Sequence, residues 1–271
     1  MQKVVRKVLR AVAGYDPTYY DMHDDPNEAC FARLYLEPII RHAEAQGIHP
    51  PAAVLDAGCQ TGRLTVPLAA QGYQVTGIDT SGFALRRAHA HVRAAGASAT
   101  FLHGEIREVL AREPGRSYDI VICAEVLYLV PAYREMLRAL AGAVRPGGLL
   151  CVSHRTAFYY LLEALRHRDW ATAHRVLDAR EGHFEGPFPE RGDYNWQSES
   201  DLRALYAALG FTDPALYPID RFAWLAGLSP SVLSEEDRVK WLELERRGSE
   251  PPPGCSRYVL AIATKPREGA A

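Results

Sequence analysis

The stretch VLDAGCQTGRL, residues 54–64, decides the fold. It opens as an apolar run, places an acid at Asp56, and encloses three residues between Gly58 and Gly62. An apolar strand that runs through a glycine-punctuated loop into a helix is a common cradle for nucleotide-like cofactors. The glycines permit a tight turn and close backbone approach, and the following helix points its N-terminus at the ligand. The stretch alone leaves open which cofactor is held.

Strands and helices alternate outward from this loop. AAVLDAG (52–58) and YQVTGID (73–79) read as short strands, and RLTVPLAAQG between them as a helix with Pro67 near its first turn and Gly72 at its end. SGFALRRAHAHVRAAG is a second helix with Ser81 as N-cap, and ATFLHGE a third strand. YDIVICAEV, the fourth, is nearly all apolar, as expected of a strand covered on both faces. AYREMLRALAGAV forms a helix with Met136, Leu137, Leu140 and Val144 apolar, and RPGG then turns the chain into LLCVSH, the fifth strand. SESDLRALYAALGF is a helix with Ser198 and Asp201 as a capping pair and Gly210 after it, and RYVLAIATKP (257–266) is a late strand. This alternation implies a parallel sheet built from right-handed crossovers. Two stretches, 156–197 and 221–256, fall outside it and read as insertions in a single domain.

Composition narrows the function classes. Of 271 residues, 48% are hydrophobic, enough for a sizeable core. A formal net charge of −2 gives no global reason to expect nucleic acid or an anionic membrane. Cys30, Cys59, Cys123, Cys151 and Cys255 are scattered and odd in number, which argues against a disulfide framework or a structural zinc site and suits a reducing cytoplasm. No apolar run reaches the ~18 residues of a membrane span. The opening MQKVVRKVLRAVAG is basic and amphipathic and lacks the apolar centre of a secretory signal. A surface helix and an Arg-rich organelle leader are the two readings of it.

Residues after the loop point to adenosine. Asp79 ends the second strand, 17 residues beyond Gly62, where a carboxylate accepts from both ribose hydroxyls. Glu105 is expected at the end of the third strand, facing an adenine amino group. The loop spacing is G-x-x-x-G rather than the dinucleotide pattern G-x-G-x-x-G, with Gln60 where a middle glycine often sits. Asp56 just before it would repel a pyrophosphate and welcome a cationic amino-acid tail. These features favour S-adenosylmethionine over NAD. Each acid also has a plainer reading: Asp56 as a turn cap, Asp79 as a turn residue, Glu105 as a surface charge, Glu125 as a first-turn helix charge.

At this point the chain resembles the class I S-adenosylmethionine-dependent methyltransferases of small-molecule type. VLDAGCQTGRL, VTGIDTS, FLHGEIREV, YDIVICAEVLYLV and VRPGGLLCVSH match that family's motifs in order and spacing over about residues 50–155. The family pattern usually has glycine where Gln60 stands. The resemblance implies an α/β fold with a Rossmann-like, doubly wound, mostly parallel seven-stranded sheet and helical insertions after strands five and six. Residues 1–50 would then form an N-terminal helical cover, 51–155 the cofactor core, and 156–197 and 221–256 acceptor-side insertions. It also implies that S-adenosyl-L-methionine is held by the loop residues Asp56, Gly58, Gln60, Gly62 and Arg63. Asp79 would take the ribose, Thr80, Glu105 and Ile106 the adenine. Ala124 and Glu125 would lie near the sulfonium and the amino-acid tail. Tyr15 or Tyr20, in GYDPTYYD (14–21), would close over the cofactor.

Methyl transfer from a sulfonium is an in-line displacement that depends on alignment. His154, directly after the fifth strand, is the candidate general base, with an acceptor contact or a loop hydrogen bond as the plainer roles. Arg155 beside it suits an acceptor carboxylate or an internal acid. His167, His174 and His183 lack metal-ligand spacing, and no metal is expected. The 156–197 insertion supplies Phe158, Tyr159, Tyr160, Phe184, Phe188, Tyr194 and Trp196, which either line an acceptor pocket or cement the insertion. Between Arg155 and Arg191 six arginines face six acids, so the insertion is not a basic nucleic-acid surface. The Asn/Asp-Pro-Pro-aromatic motif of enzymes that methylate nucleic-acid amino groups is absent after the fourth strand, where CAEV stands. A cytoplasmic enzyme methylating N or O of a small molecule, with no nucleic-acid or membrane partner, is the expectation. A nicotinamide-dependent oxidoreductase and a non-catalytic module with a cofactor fold are the competing readings.

Overall fold

The computed structural model describes residues 21–185, 192–246 and 252–267. Its first helix, α1 (Pro26–Ala45), starts at Asp25, whose carboxylate accepts from the Asn27 and Glu28 amides, with Pro26 in the first turn where no amide partner is needed. Strand and helix then alternate: β1 (Ala53–Ala57), α2 (Thr65–Ala70), β2 (Gln74–Asp79), α3 (Gly82–Ala94), β3 (Thr100–His103), α4 (Ile106–Arg112), β4 (Tyr118–Cys123), α5 (Tyr133–Gly142) and β5 (Val144–Arg155), as the sequence predicts except for α4, which it does not single out. Ser81 caps α3 by accepting from the Ala84 amide.

The expected RPGG turn lies instead inside β5. The β4–β5 register runs Tyr118↔Val144 and then Ile120↔Leu149, so the extra residues bulge out of the ladder. Gly148 permits this, since a β-carbon there would lie 2.8 Å from the Asp119 carbonyl oxygen.

After β5 come α6 (Ala157–Arg166), α7 (Trp170–Asp178), a hairpin of β6 (Glu181–Phe184) and β7 (Gly192–Asn195), and α8 (Glu199–Ala208), whose Ser198 and Asp201 form the expected capping box. The first insertion is therefore helical plus a two-stranded hairpin. The chain continues through β8 (Ala215–Ile219), α9 (Phe222–Ala226) and α10 (Glu235–Arg246) to β9 (Tyr258–Thr264).

The main sheet has seven strands in the order β3-β2-β1-β4-β5-β9-β8. The first five are parallel; β9 runs antiparallel to both β5 and β8. Strand alternation sends Val54, Ile120, Leu149 and Cys151 to a core shared with α1 and α10, and Leu55, Val121, Leu150 and Val152 to one shared with α5 and α8. Strand order reverses between β1 and β4, which opens a crevice at their carboxyl ends. All five cysteines are free, and among the described residues no helix is long and apolar enough to cross a membrane.

Candidate functional site

At that switch point lies a cavity of about 160 Å³, lined by Met22, Asp56, Gly58, Cys59, Gln60, Arg63, Leu64, Asp79, Ala124, Glu125 and Val126. Seven of the expected cofactor residues are among them. A larger groove, about 890 Å³, opens at the amino ends of β2, β3 and β4, away from the crevice where ligands bind in such sheets.

The loop between β1 and α2 is shaped by two close approaches. Gly58 has φ +87°, and a β-carbon there would overlap Val126 Cγ2. Gly62, at φ +92°, donates its amide to the Cys59 carbonyl. The amides of residues 58–61 are committed as well. Gly58 and Cys59 both donate to the Ile78 carbonyl (2.8 and 3.0 Å), Gln60 to Asp79 Oδ2 (2.9 Å), and Thr61 to the Gln60 side-chain oxygen (2.7 Å). A pyrophosphate cradle presents several unpaired amides. Here the amides of residues 58–62 are spent internally, and the cavity is lined by the carboxylates of Asp56, Asp79 and Glu125, the last of them paired with Arg63, a surface suited to a ligand with cationic and hydroxyl groups. Gln60 holds a left-handed φ of 46°, uncommon for a non-glycine residue.

Asp79 is fixed at both oxygens. Oδ2 takes the Gln60 amide and Oδ1 the Ser81 amide (2.8 Å), which leaves lone pairs on both for a vicinal diol. Asp56 is buried and accepts from the Thr65 hydroxyl (2.6 Å); burial raises its carboxyl from 3.8 to about 6. Arg63, also buried, pairs with Glu28 of α1 and with Glu125 Oε1 (2.9 Å), and lies over the Tyr35 ring. Burial pushes Glu125 up, but the Arg63 guanidinium more than offsets this and holds it below its ordinary value. On Glu28 burial prevails, and the carboxyl is raised. Glu125 has φ +60°, an uncommon conformation for a non-glycine residue, and its amide donates to Ser153 Oγ (2.6 Å) on β5.

Other expected site residues do not line the cavity. β3 ends at His103, so Glu105 is not at a strand end: it is the N-cap of α4, accepting from the Glu108 amide (3.1 Å). Ile106 is buried in the core beside it. Thr80 is exposed, with its carbonyl oxygen 3.0 Å from His103 Nε2. Tyr15 and Tyr20 lie outside the described residues, as does Phe188.

His154, expected as a base, is 1% exposed on the opposite face of β5 from Ser153. Its two ring nitrogens sit against Gln197 Oε1 (3.3 Å) and the Tyr206 hydroxyl (3.2 Å), and burial lowers it to about 4. It neither lines the cavity nor has a nitrogen to spare, which is the loop-bonding role rather than the catalytic one. Of the insertion's rings, Tyr160, Phe184 and Trp196 cluster with Val176 and cement the insertion, and Tyr159, in the same cluster, also faces the Arg155 guanidinium (4.2 Å). Sequence reading missed Glu28, Tyr35 and Ser153, which reach the site from α1 and β5. It also named no metal ligands, whereas His23, Asp24 and His91 place ligand atoms within 4.8 Å of one another. Arg87 already pairs with Asp24 (3.3 Å) and with the neighbouring Asp21 (3.1 Å) there, so the cluster is held as an ion-pair network.

Residues 54–148 match the methyltransferase-domain family. The ubiquinone biosynthesis O-methyltransferase of Ralstonia nicotianae is 41% identical over 114 residues, 41% of this chain and 48% of that protein. The protein of the same name from Burkholderia thailandensis is 37% identical over 145 residues, 52% of this chain and 62% of that one. The chain thus spans about half the length of the curated relatives it matches. Among solved structures, the magnesium protoporphyrin IX methyltransferase of Synechocystis PCC 6803 with bound SAH shares the fold at 18% identity. Its TM-score is 0.56, over 97% of this chain and 99% of that one. An S-adenosylmethionine-dependent methyltransferase of Clostridium acetobutylicum is similar at 11% identity and TM-score 0.56, over 98% of both chains.

Proposed function

We propose, on the premise that residues 54–148 form a class I S-adenosylmethionine-dependent methyltransferase domain, that this chain moves a methyl group from S-adenosylmethionine to an oxygen or nitrogen of a small molecule. One observation carries the reading: Asp79, with both oxygens anchored by backbone amides, stands beside a loop whose amides at residues 58–62 are bonded internally and a cavity lined by carboxylates. The O-methyltransferase names of the relatives favour oxygen.

The residues present fit the cofactor. Asp79 would accept from the ribose hydroxyls, Gly58 would let the backbone pass close to the amino-acid part, and Asp56 and Glu125 would supply negative charge for the ammonium and sulfonium. The cofactor supplies an activated methyl group, so the protein's contribution is alignment and exclusion of water, and positioning of this kind is worth roughly 7–11 kcal/mol. The Arg63 bridge between Glu28 and Glu125 ties α1 to the loop after β4 and keeps the cavity walls in register. The insertions 156–197 and 221–256 would cover the acceptor side, and free cysteines suit work in the cytoplasm.

Calorimetric titration with S-adenosylhomocysteine, with NAD as control, tests the reading. Micromolar binding of the former alone is expected. Binding of NAD, or of neither, would overturn it.

A further inference from the structure

Arg155, the last residue of β5, is 5% exposed, and its Nε and Nη1 are buried without a hydrogen-bond partner. The rings of Tyr258, Tyr159 and Tyr128 stand 4.0, 4.2 and 4.3 Å from its guanidinium carbon. Ring faces attract a guanidinium but leave its in-plane N–H groups unbonded. A buried cation whose donors are idle is costly unless something completes it.

No acid of the described chain bonds its Nε or Nη1, although the charges of Arg155 and Arg257 both help to hold the Glu125 carboxyl down. Glu125 is taken by Arg63, and Asp220 by Arg257 (3.2 Å) and the Trp224 amide (3.1 Å). Glu163 is taken by Arg166 (2.5 Å) and the Trp224 indole (2.9 Å). A second cation lies across the same rings: Arg257 is 5.4 Å from the Tyr258 ring and 5.9 Å from that of Tyr159, with its own Nε buried and unpartnered. The Tyr160 hydroxyl nearby is buried without a partner as well.

The position of this group is telling. Arg155 shares a face of β5 with Ser153, which bonds the Glu125 amide at the cavity rim, yet Arg155 is not itself part of the cavity lining. Tyr159 comes from the insertion that follows β5. The box therefore adjoins the Glu125 end of the cavity without lining it.

We propose that Arg155, supported by Arg257, recognises a carboxylate on the methyl acceptor, with the tyrosine rings packing against an adjoining flat, apolar body. A carboxylate lies in the plane of a guanidinium and accepts two N–H bonds at once, as the ring faces cannot. The substrate class is thus an anionic, aromatic or similarly planar hydroxy acid. This rests on the methyltransferase reading above. The same chemistry has a second source, the carboxylate of the cofactor's own amino-acid tail, and the test separates the two.

The probes are 3,4-dihydroxybenzoate and its neutral counterpart catechol, titrated by calorimetry with and without saturating S-adenosylhomocysteine. The wild-type protein is expected to bind the carboxylate probe at least about tenfold more tightly than catechol. Arg155→Gln should reduce that ratio to near one while leaving S-adenosylhomocysteine affinity within twofold. Arg155→Lys keeps the charge, loses the fork, and should fall between; it decides the matter if the Gln variant does not fold. A wild-type ratio near one, or a ratio that survives both substitutions, overturns the proposal. So does a tenfold loss of S-adenosylhomocysteine affinity in Arg155→Gln, which would assign Arg155 to the cofactor. Absence of S-adenosylhomocysteine binding by the wild type would instead sink the methyltransferase reading, and the probe ratio measured without it would still decide the role of Arg155.

Discussion

Replacing Asp79 by alanine removes the group on which the adenosine assignment turns. The carboxylate holds the Gln60 amide at 2.9 Å and the Ser81 amide at 2.8 Å, so each oxygen points from a fixed place. A hydrogen bond to a charged group contributes about 1.5–3 kcal/mol. Two ribose hydroxyls on one carboxylate therefore contribute about 3–6 kcal/mol, or roughly 10²- to 10⁴-fold in Kd. Calorimetry with S-adenosylhomocysteine reads this directly. Repeating it with a 2′,3′-dideoxyribose analogue separates the ribose contact from loosening of the loop, because the penalty of Asp79→Ala should largely vanish for a ligand without the diol. An Asp79→Ala protein that binds S-adenosylhomocysteine within threefold of wild type would refute the reasoning.

Gly58→Ala forces a β-carbon into Val126 at φ +87°, and a cost of about 2 kcal/mol should lower the Tm by about 4–8 °C in a scanning melt and weaken cofactor binding. The Asp56 carboxyl is raised from 3.8 to about 6 by burial, so the folded state binds its proton more tightly than the unfolded one. Its contribution to stability falls as pH rises from about 4 to 6, by about 3 kcal/mol in all. Asp56→Asn should remove that slope: denaturant melts should show the variant gaining on wild type across this window, and parallel curves would contradict it. His154→Gln should lower stability, since it disturbs the contacts to Gln197 and Tyr206, yet leave kcat within tenfold. A general base would cost 10²–10⁴ in steady-state rates.

The core of the fold was written in local pattern. The apolar runs of β1 to β5 and the caps at Ser81 and Ser198 each depend on residues a few positions apart, and all were readable. β8 was not: ALYPI is short, carries Pro218 and lies at the sheet edge, where a missing amide is tolerated and no strong pattern is required. The RPGG stretch looks like a turn because bulge and turn use the same residues.

Gly58, Asp79 and Glu125 reach the cavity because they lie at or just after strand ends, a position the sequence pattern marks. β3 stops at His103, two residues before Glu105, whose carboxylate caps α4, just as β4 stops two residues before Glu125. His154 was assigned to the wrong face, because a period of two decides between Ser153 and His154 and sequence alone does not fix which one faces the crevice. Glu28 and Tyr35 reach Arg63 from a helix far off in sequence, and no local signal marks them.

The most direct measurement is a crystal structure of the protein with S-adenosylhomocysteine. The cofactor assignment predicts the ribose hydroxyls on the Asp79 carboxylate, with the ligand in the cavity beside Gly58 and Glu125. Ligand density in the groove at the amino ends of β2 to β4, or a ribose held by any group other than Asp79, would contradict it.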